Sequence, residues 1–85
     1  MLGVVPTSLT FTTLGTQQTF QVNESGYTGT FTLSDTDCVG VAVYAPSSGP
    51  GPSLTITVTS IGFGTCHITV TDTNGQSALE TITVT

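Results

Sequence analysis

Three residues in this 85-residue sequence carry thiol or imidazole side chains, which bind zinc or do redox chemistry: Cys38, Cys66 and His67. Zinc accepts two thiolates and an imidazole, but a structural zinc site needs four ligands and this set supplies three. Neighbours on a strand point to opposite faces, so an inward Cys66 turns His67 outward, away from the other ligands. The sequence therefore predicts no metal site and no cofactor, and places His67 on an exposed sheet face.

The two cysteines have a simpler use as a cross-link. In a small chain with few charges, a pair of cysteines indicates one disulfide and an oxidising compartment. A bond between Cys38 and Cys66 would close a loop of about 28 residues and stabilise the fold by roughly 3–4 kcal/mol. The alternative is two unrelated buried thiols. A redox-active pair is disfavoured, because the chain has no Cys-x-x-Cys and no neighbouring cation that would lower a thiol pKa.

Nucleophilic catalysis is disfavoured as well. A Ser–His–Asp triad requires a serine and a carboxylate to converge on His67 beside an oxyanion hole. The sequence contains no Gly-x-Ser-x-Gly motif, which is the turn that presents a serine nucleophile in one large hydrolase class. We therefore expect no enzyme activity and assign no catalytic residue.

Calcium is the remaining metal to consider. Asp35 and Asp37 form an Asp-x-Asp pair, and Asp72 precedes an Asn74–Gly75 turn. Calcium needs six to eight oxygen ligands, and the strand pattern below places the pair and Asp72 at opposite ends of the domain. Each could supply half of a site between tandem copies. The favoured interpretation is that they are turn residues, because Asp binds its own backbone in turns.

Composition excludes two classes of partner. The chain has no Lys or Arg, five acidic residues and a net charge of −5. Without cationic side chains it cannot neutralise phosphates, so nucleic acid is excluded. Anionic membrane surfaces are excluded for the same reason, and no apolar run approaches the ~20 residues of a membrane-spanning helix. Twenty threonines favour strands over helices.

Apolar residues alternate with threonine almost throughout, which is the period of half-buried strands. Turn residues separate seven such segments, at about 4–12, 17–22, 27–34, 39–45, 53–60, 65–72 and 76–85. Asn74–Gly75 is the strongest hairpin signal and predicts a type I′ turn. Seven short strands predict an all-β, Ig-like Greek-key sandwich. In that layout the end of the third strand meets the start of the sixth, which brings Cys38 and Cys66 to one end.

The segment Gly62–Asp72, followed by Asn74–Ala78, resembles the closing hairpin of bacterial Ig-like domains, the invasin/intimin-type tandem modules of surface proteins. The segments Pro6–Phe11, Leu33–Asp37 and Val41–Val43 also resemble parts of that family. The resemblance covers nearly the whole chain. It implies that residues 1–85 are a single Ig-like domain excised from a larger extracellular or cell-surface protein, with neighbouring modules as its partners.

Glu80 falls in the inward register of the last strand, where the family usually has an apolar residue. The favoured interpretation is a bulge that turns Glu80 outward. The alternative is a buried carboxyl that assists a cross-link. The absence of Lys rules out an isopeptide bond of the Lys–Asn type, and a Thr–Gln ester involving Gln76 is the remaining form.

Strand 39–45 is apolar on both faces, with Val39, Val41 and Val43 on one and Ala42 and Tyr44 on the other. We expect the Pro46–Pro52 loop to cover it; the alternative is contact with a neighbour.

The predicted function is a structural spacer or display module. The alternatives are a module that binds a host or surface protein or a glycan through its end loops, where Tyr27 is the one obvious aromatic platform, and a fibre subunit that adds an edge strand to a neighbour.

Overall fold

The computed structural model describes residues 2–35 and 37–85. The described residues form nine β-strands and no helix, so the all-β prediction is confirmed. The strands are β1 Leu2–Val5, β2 Ser8–Phe11, β3 Gln17–Glu24, β4 Thr30–Asp35, β5 Ala42–Ala45, β6 Ser48–Pro50, β7 Ser53–Ser60, β8 Gly64–Thr71 and β9 Ser77–Val84. Among these residues, no helix is long and apolar enough to cross a membrane.

The strands form two sheets that pack face to face. One sheet has the order β1-β3-β7-β5 and the other the order β2-β9-β8-β4-β6. All pairings are antiparallel except that of β2 with β9. The alternating apolar positions face inward and form one core, and burying each such side chain contributes about 1.5–3 kcal/mol. The largest fully buried apolar side chains are Phe11, Phe20, Phe31, Ile56, Ile68 and Ile82.

The predicted count of seven strands is wrong, because two segments are divided differently. The predicted strand 4–12 is broken at Pro6 into β1 and β2, which belong to different sheets. Proline has no N–H to donate to a ladder, so a strand readily stops there. The predicted loop Pro46–Pro52 also contains a short strand, β6, which pairs with β4.

The predicted strand 39–45 is shorter than expected and is not covered as expected. Residues 39–41 form a turn in which Gly40 has a φ of 81°. The amides of Val41 and Ala42 both donate to the carbonyl of Cys38, which removes this turn from the ladder. The Pro46–Pro52 segment pairs with β4 of the opposite sheet, so the outward Val43 on β5 stays 52% exposed.

The three principal extents measure 37, 20 and 17 Å. An eight-residue strand such as β3 is about 26 Å long, so the strands fit only along the longest extent. We call the end formed by loops 25–29, 51–52 and 72–76 the N-terminal pole, because β1 begins there. The end formed by loops 12–16, 37–41 and 61–63 is the C-terminal pole, where β9 ends. Every predicted site residue except Glu80 lies at or near one of these poles.

Candidate functional site

The two cysteines meet at the C-terminal pole. Cys38 lies in the loop after β4 and Cys66 near the start of β8, and the structure joins them with an S–S distance of 2.12 Å and a Cα–Cα distance of 4.9 Å. Both side chains are buried. The bond fastens an irregular loop to a central strand. Asp37 lies beside the two sulfurs, but sulfurs bonded to each other are not free thiolate ligands.

His67 faces outward from β8, next to the inward Cys66, as the alternation predicted. Its amide donates to Asp37 Oδ1 at 2.9 Å, and its Nδ1 lies 3.2 Å from Asp37 Oδ2. These hydrogen bonds, first the one from the backbone amide and then the one from the ring, hold the pKa of Asp37 below its ordinary value. Both side chains are nearly half exposed, so the pair lies at the surface beside the disulfide.

Asp35 braces the same loop from the other side. Its Oδ2 accepts a hydrogen bond from the amide of Cys38 at 3.1 Å. Its Oδ1 accepts one from the Tyr44 hydroxyl of β5 at 2.7 Å. Burial, followed by the nearness of Asp35, raises the pKa of the Tyr44 hydroxyl to about 12. Asp35 therefore binds a nearby backbone amide, which is the role favoured from sequence, and it also links β4 to β5 of the opposite sheet, which was not predicted.

The N-terminal pole carries a polar groove of about 480 Å³, lined by residues that include Glu24, Tyr27 and Thr73. The alternative binding function had Tyr27 as its one obvious aromatic platform, but Tyr27 is 7% exposed and packs on Phe31 with ring centroids 5.0 Å apart. Its hydroxyl donates to the carbonyl of Thr30 at 2.7 Å and accepts from the amide of Thr73 at 3.0 Å. Tyr27 thus ties loop 25–29 to the β8–β9 hairpin.

Two carboxyl groups meet beside this groove, and the sequence reasoning missed the partner of Asp72. Glu24 is 5% exposed. Burial, and then the hydrogen bond to Asp72, raise the pKa of Glu24 above its ordinary value. The pKa of Asp72 is lowered below its ordinary value. Burial by itself would raise it, but the interaction with Glu24 and the hydrogen bonds from the amides of Gln76 and Asn74 outweigh burial. The two pKa values therefore move in opposite directions, that of Glu24 upward and that of Asp72 downward.

A signal for Glu24 was present in the sequence. Phe20, Val22 and Glu24 alternate in the same register of β3, and all three are buried. One oxygen of Glu24 and one of Asp72 are buried with no hydrogen-bond partner assigned among the described residues. One proton held between the two carboxyls would serve both, which agrees with the directions of their pKa values.

The Asn74–Gly75 turn forms, but its predicted type is wrong. A type I′ turn needs positive φ at both central residues. Gly75 has a φ of 86°, whereas no non-glycine residue in the described part of the chain has a positive φ. The amide of Asp72 donates to the carbonyl of Gln76, so the loop has three residues and only its last one needs the left-handed conformation. Asp72 Oδ1 accepts from the amides of Asn74 and Gln76.

Glu80 is the clearest departure from expectation. No bulge is present, since β8 and β9 pair in unbroken register with Ile68 opposite Glu80. The side chain is fully buried and neither carboxyl oxygen has a hydrogen-bond partner among the described residues. Burial raises the pKa of Glu80 to about 7. The side-chain oxygen of Gln76 accepts a hydrogen bond from the amide of Leu2 at 2.9 Å, a structural contact that ties β1 to the start of β9.

The fold is similar to single domains of the S-layer protein SbsC. A structure of SbsC domains 4 and 5 aligns with a TM-score of 0.83 and 20% identity, over 99% of this chain and 50% of that one. A structure of SbsC domains 4–9 aligns with a TM-score of 0.82 and 20% identity, over 100% of this chain and 14% of that one. The chain therefore spans half or less of these structures.

A similar fold also occurs in other settings. A Bacteroides ovatus GH5 xyloglucanase, solved with a XXXG heptasaccharide, aligns with a TM-score of 0.80 and 16% identity over 100% of this chain and 19% of that one. The C. elegans MSP family member WR4 aligns with a TM-score of 0.76 and 10% identity over 100% and 98%. No family profile matches the sequence, and no curated protein is similar to it. At these identities the likenesses show the fold alone.

Proposed function

We propose that this chain is a structural spacer or display module of a secreted or cell-surface protein, with no catalytic role. The observation that carries the proposal is the placement of the chain ends. Leu2 begins β1 at the N-terminal pole, and Val84 ends β9 at the C-terminal pole, opposite Gly64. A module whose ends emerge at opposite poles of a 37 Å long axis extends a polypeptide when it is placed between two others.

The likeness to domains of multi-domain S-layer structures supports the same proposal. Each alignment covers essentially all of this chain and one part of the larger structure, as expected for one module among several. We further propose that the sandwich is of the Ig-like Greek-key type and belongs with the invasin/intimin-type surface modules. The Cys38–Cys66 cross-link agrees with an extracellular location.

The spacer function is tested by placing the chain between two small labelled domains and measuring the distance between the labels by electron–electron double resonance. A rigid module shifts the distance distribution outward by about its 37 Å length and keeps it narrow. A flexible Gly/Ser linker of equal residue number is the matched control, which gives a broad distribution. A distribution as broad as that of the linker contradicts the proposal.

A second candidate function is supported by the polar groove at the N-terminal pole. Its hydroxyl and carboxyl groups suit a polar ligand such as a glycan or a protein loop. Amide chemical shifts recorded during titration with a glycan panel separate the two functions. Saturable shifts confined to loops 25–29 and 72–76, and weakened in Thr73→Ala, would favour binding. The spacer proposal predicts no saturable shift.

A further inference from the structure

Exposed apolar side chains are concentrated at the C-terminal pole. Leu14 is 46% exposed, Val39 93%, Ile61 47% and Phe63 67%. They come from three separate loops, which follow β2, β4 and β7. A small soluble domain rarely gathers large apolar side chains in one exposed region unless that region makes a contact.

The rest of the described surface has no comparable group of exposed apolar side chains in its loops. The other exposed large apolar side chains in the described residues are Val5, Val43 and Leu79, and all three lie on strands. None lies in the loops of the N-terminal pole. A groove of about 380 Å³ runs from the C-terminal pole along β5, and Val39, Val43 and Ile61 line it. The apolar surface therefore extends from the pole onto one free sheet edge.

The backbone beneath this surface is firmly held. The amides of Ile61 and Gly62 both donate to the carbonyl of Val41, which joins two of the three loops. A Cβ added at Gly62 would collide with the carbonyl oxygen of Gly40, so the two loops are in direct backbone contact. The Cys38–Cys66 bond fixes the same region to β8. A surface held in this way is formed in advance and loses little entropy on binding.

We propose that this C-terminal pole, defined by Leu14, Val39, Ile61 and Phe63, is the docking surface for the module that follows in the same polypeptide. The direction of the chain identifies that occupant. The amide of Thr85 donates to the carbonyl of Phe11 at 2.9 Å, so the chain leaves β9 within the pole itself. Tethering gives a following module a high effective concentration there, so even a small apolar contact is occupied. This inference rests on the proposed spacer function.

The test compares the 85-residue chain with a parent segment that also contains the following module. We expect amide shifts in loops 12–16, 37–41 and 61–63 to differ between the two, and those of loops 25–29 and 72–76 to be unchanged. ¹⁵N relaxation should give the two modules one common correlation time. The double variant V39S/F63S should abolish both effects. The matched control V5S/L79S removes apolar side chains of similar exposure elsewhere on the surface and should abolish neither.

The outcomes separate this inference from the proposed function. If the two modules tumble independently in the unaltered segment, the docking inference is wrong, and the distance measurement still decides the spacer function. A broad distance distribution with intact docking contradicts the spacer function alone. Light scattering on the 85-residue chain supplies a further check. We expect a monomer, and a dimer that V39S/F63S dissociates would assign the pole to a second copy and overturn the inference.

Discussion

The two poles of the sandwich are stabilised by different chemistry. The C-terminal pole is held by a disulfide and by backbone hydrogen bonds between loops, and it presents apolar side chains. The N-terminal pole is held by the Tyr27 hydroxyl and by a carboxyl pair, and it presents a polar groove. Because the chain has no Lys or Arg, neither pole has a salt bridge to one of these residues. The chain therefore uses a covalent bond at one end and a contact between two carboxyl groups at the other.

This difference has a consequence for how each pole responds to its surroundings. A disulfide is sensitive to reductant and insensitive to moderate pH. A carboxyl pair is sensitive to pH and insensitive to reductant. The two poles are therefore expected to loosen under different conditions.

The largest expected effect comes from removing the cross-link. The double variant C38S/C66S should lower the free energy of unfolding by roughly 3–4 kcal/mol, because the loop closed by the disulfide no longer constrains the unfolded chain. Denaturant unfolding at pH 5 measures the change, and amide exchange should show the greatest loss of protection at the C-terminal pole. Reductant should lower the stability of the unaltered 85-residue chain and leave the stability of the variant unchanged. If intact-mass measurement shows no gain of two hydrogens on reduction, the disulfide is absent.

The next largest effect concerns Glu80, which lies between the poles. Its carboxyl ionises near pH 7 when folded and near 4.5 when unfolded, so the native state binds more protons between these values. The stability that the proton on Glu80 contributes is therefore fully present below about pH 4.5 and is lost as the pH rises through 7. Glu80→Gln removes this loss, and we expect a gain of about 2–3 kcal/mol at pH 7.5 and little change at pH 4.5. Thermal melts at the two pH values measure it. An equal effect at both would show that packing, not ionisation, is responsible.

These burial patterns show what was predictable from sequence. The strands followed from apolar–threonine alternation, which is local, and so did the inward Cys66 and outward His67. Glu24 and Glu80 follow the same alternation, but a bulge was favoured for Glu80 and the burial of Glu24 was not considered, although burying a carboxylate is costly. Alternation prevailed because a carboxyl that keeps its proton avoids most of that cost.

Other features depended on contacts distant in sequence. Pro6 marks a break, but only the pairing partners show that β1 and β2 join different sheets. The pairing of Asp72 with Glu24 joins the residue after β8 to the last residue of β3, and no spacing in the sequence encodes it. The Asn74–Gly75 turn type depended on loop length, which is set by where β8 and β9 stop pairing. The apolar surface of the C-terminal pole was equally unpredictable from sequence, because its side chains come from three separate loops.

A smaller effect should follow at the N-terminal pole from Glu24→Gln. Glutamine still donates to Asp72 but does not titrate. Because the pKa of Glu24 is raised, its stabilising proton is fully present below pH 4.5 and is lost as pH rises through the raised pKa. We expect the amide shifts of residues 73–76 to depend on pH above 4.5 in the unaltered chain and to lose that dependence in the variant. Solvent at the groove screens the pair, so the change in Tm should be smaller than for Glu80→Gln.

Persistence of that pH dependence in Glu24→Gln would contradict the shared proton and point to another titrating group. Glu80→Gln is the control, because it removes a raised carboxyl on β9 without touching the pair.

The smallest effect is expected from the contact between Asp37 and His67 at the C-terminal pole. The pKa of Asp37 is lowered, so its contribution is present above its ordinary pKa of 3.8 and is lost only as pH falls through the depressed value. Asp37→Asn keeps an oxygen that accepts from the amide of His67 and removes the charge. Because both side chains are nearly half exposed, solvent screens the pair and Tm at pH 7 should hardly change. Thermal melts of Asp37→Asn and of the matched variant His67→Gln measure it. A decrease in Tm at pH 7 that approaches the decrease in C38S/C66S would mean that charge, and not the covalent bond, stabilises this pole.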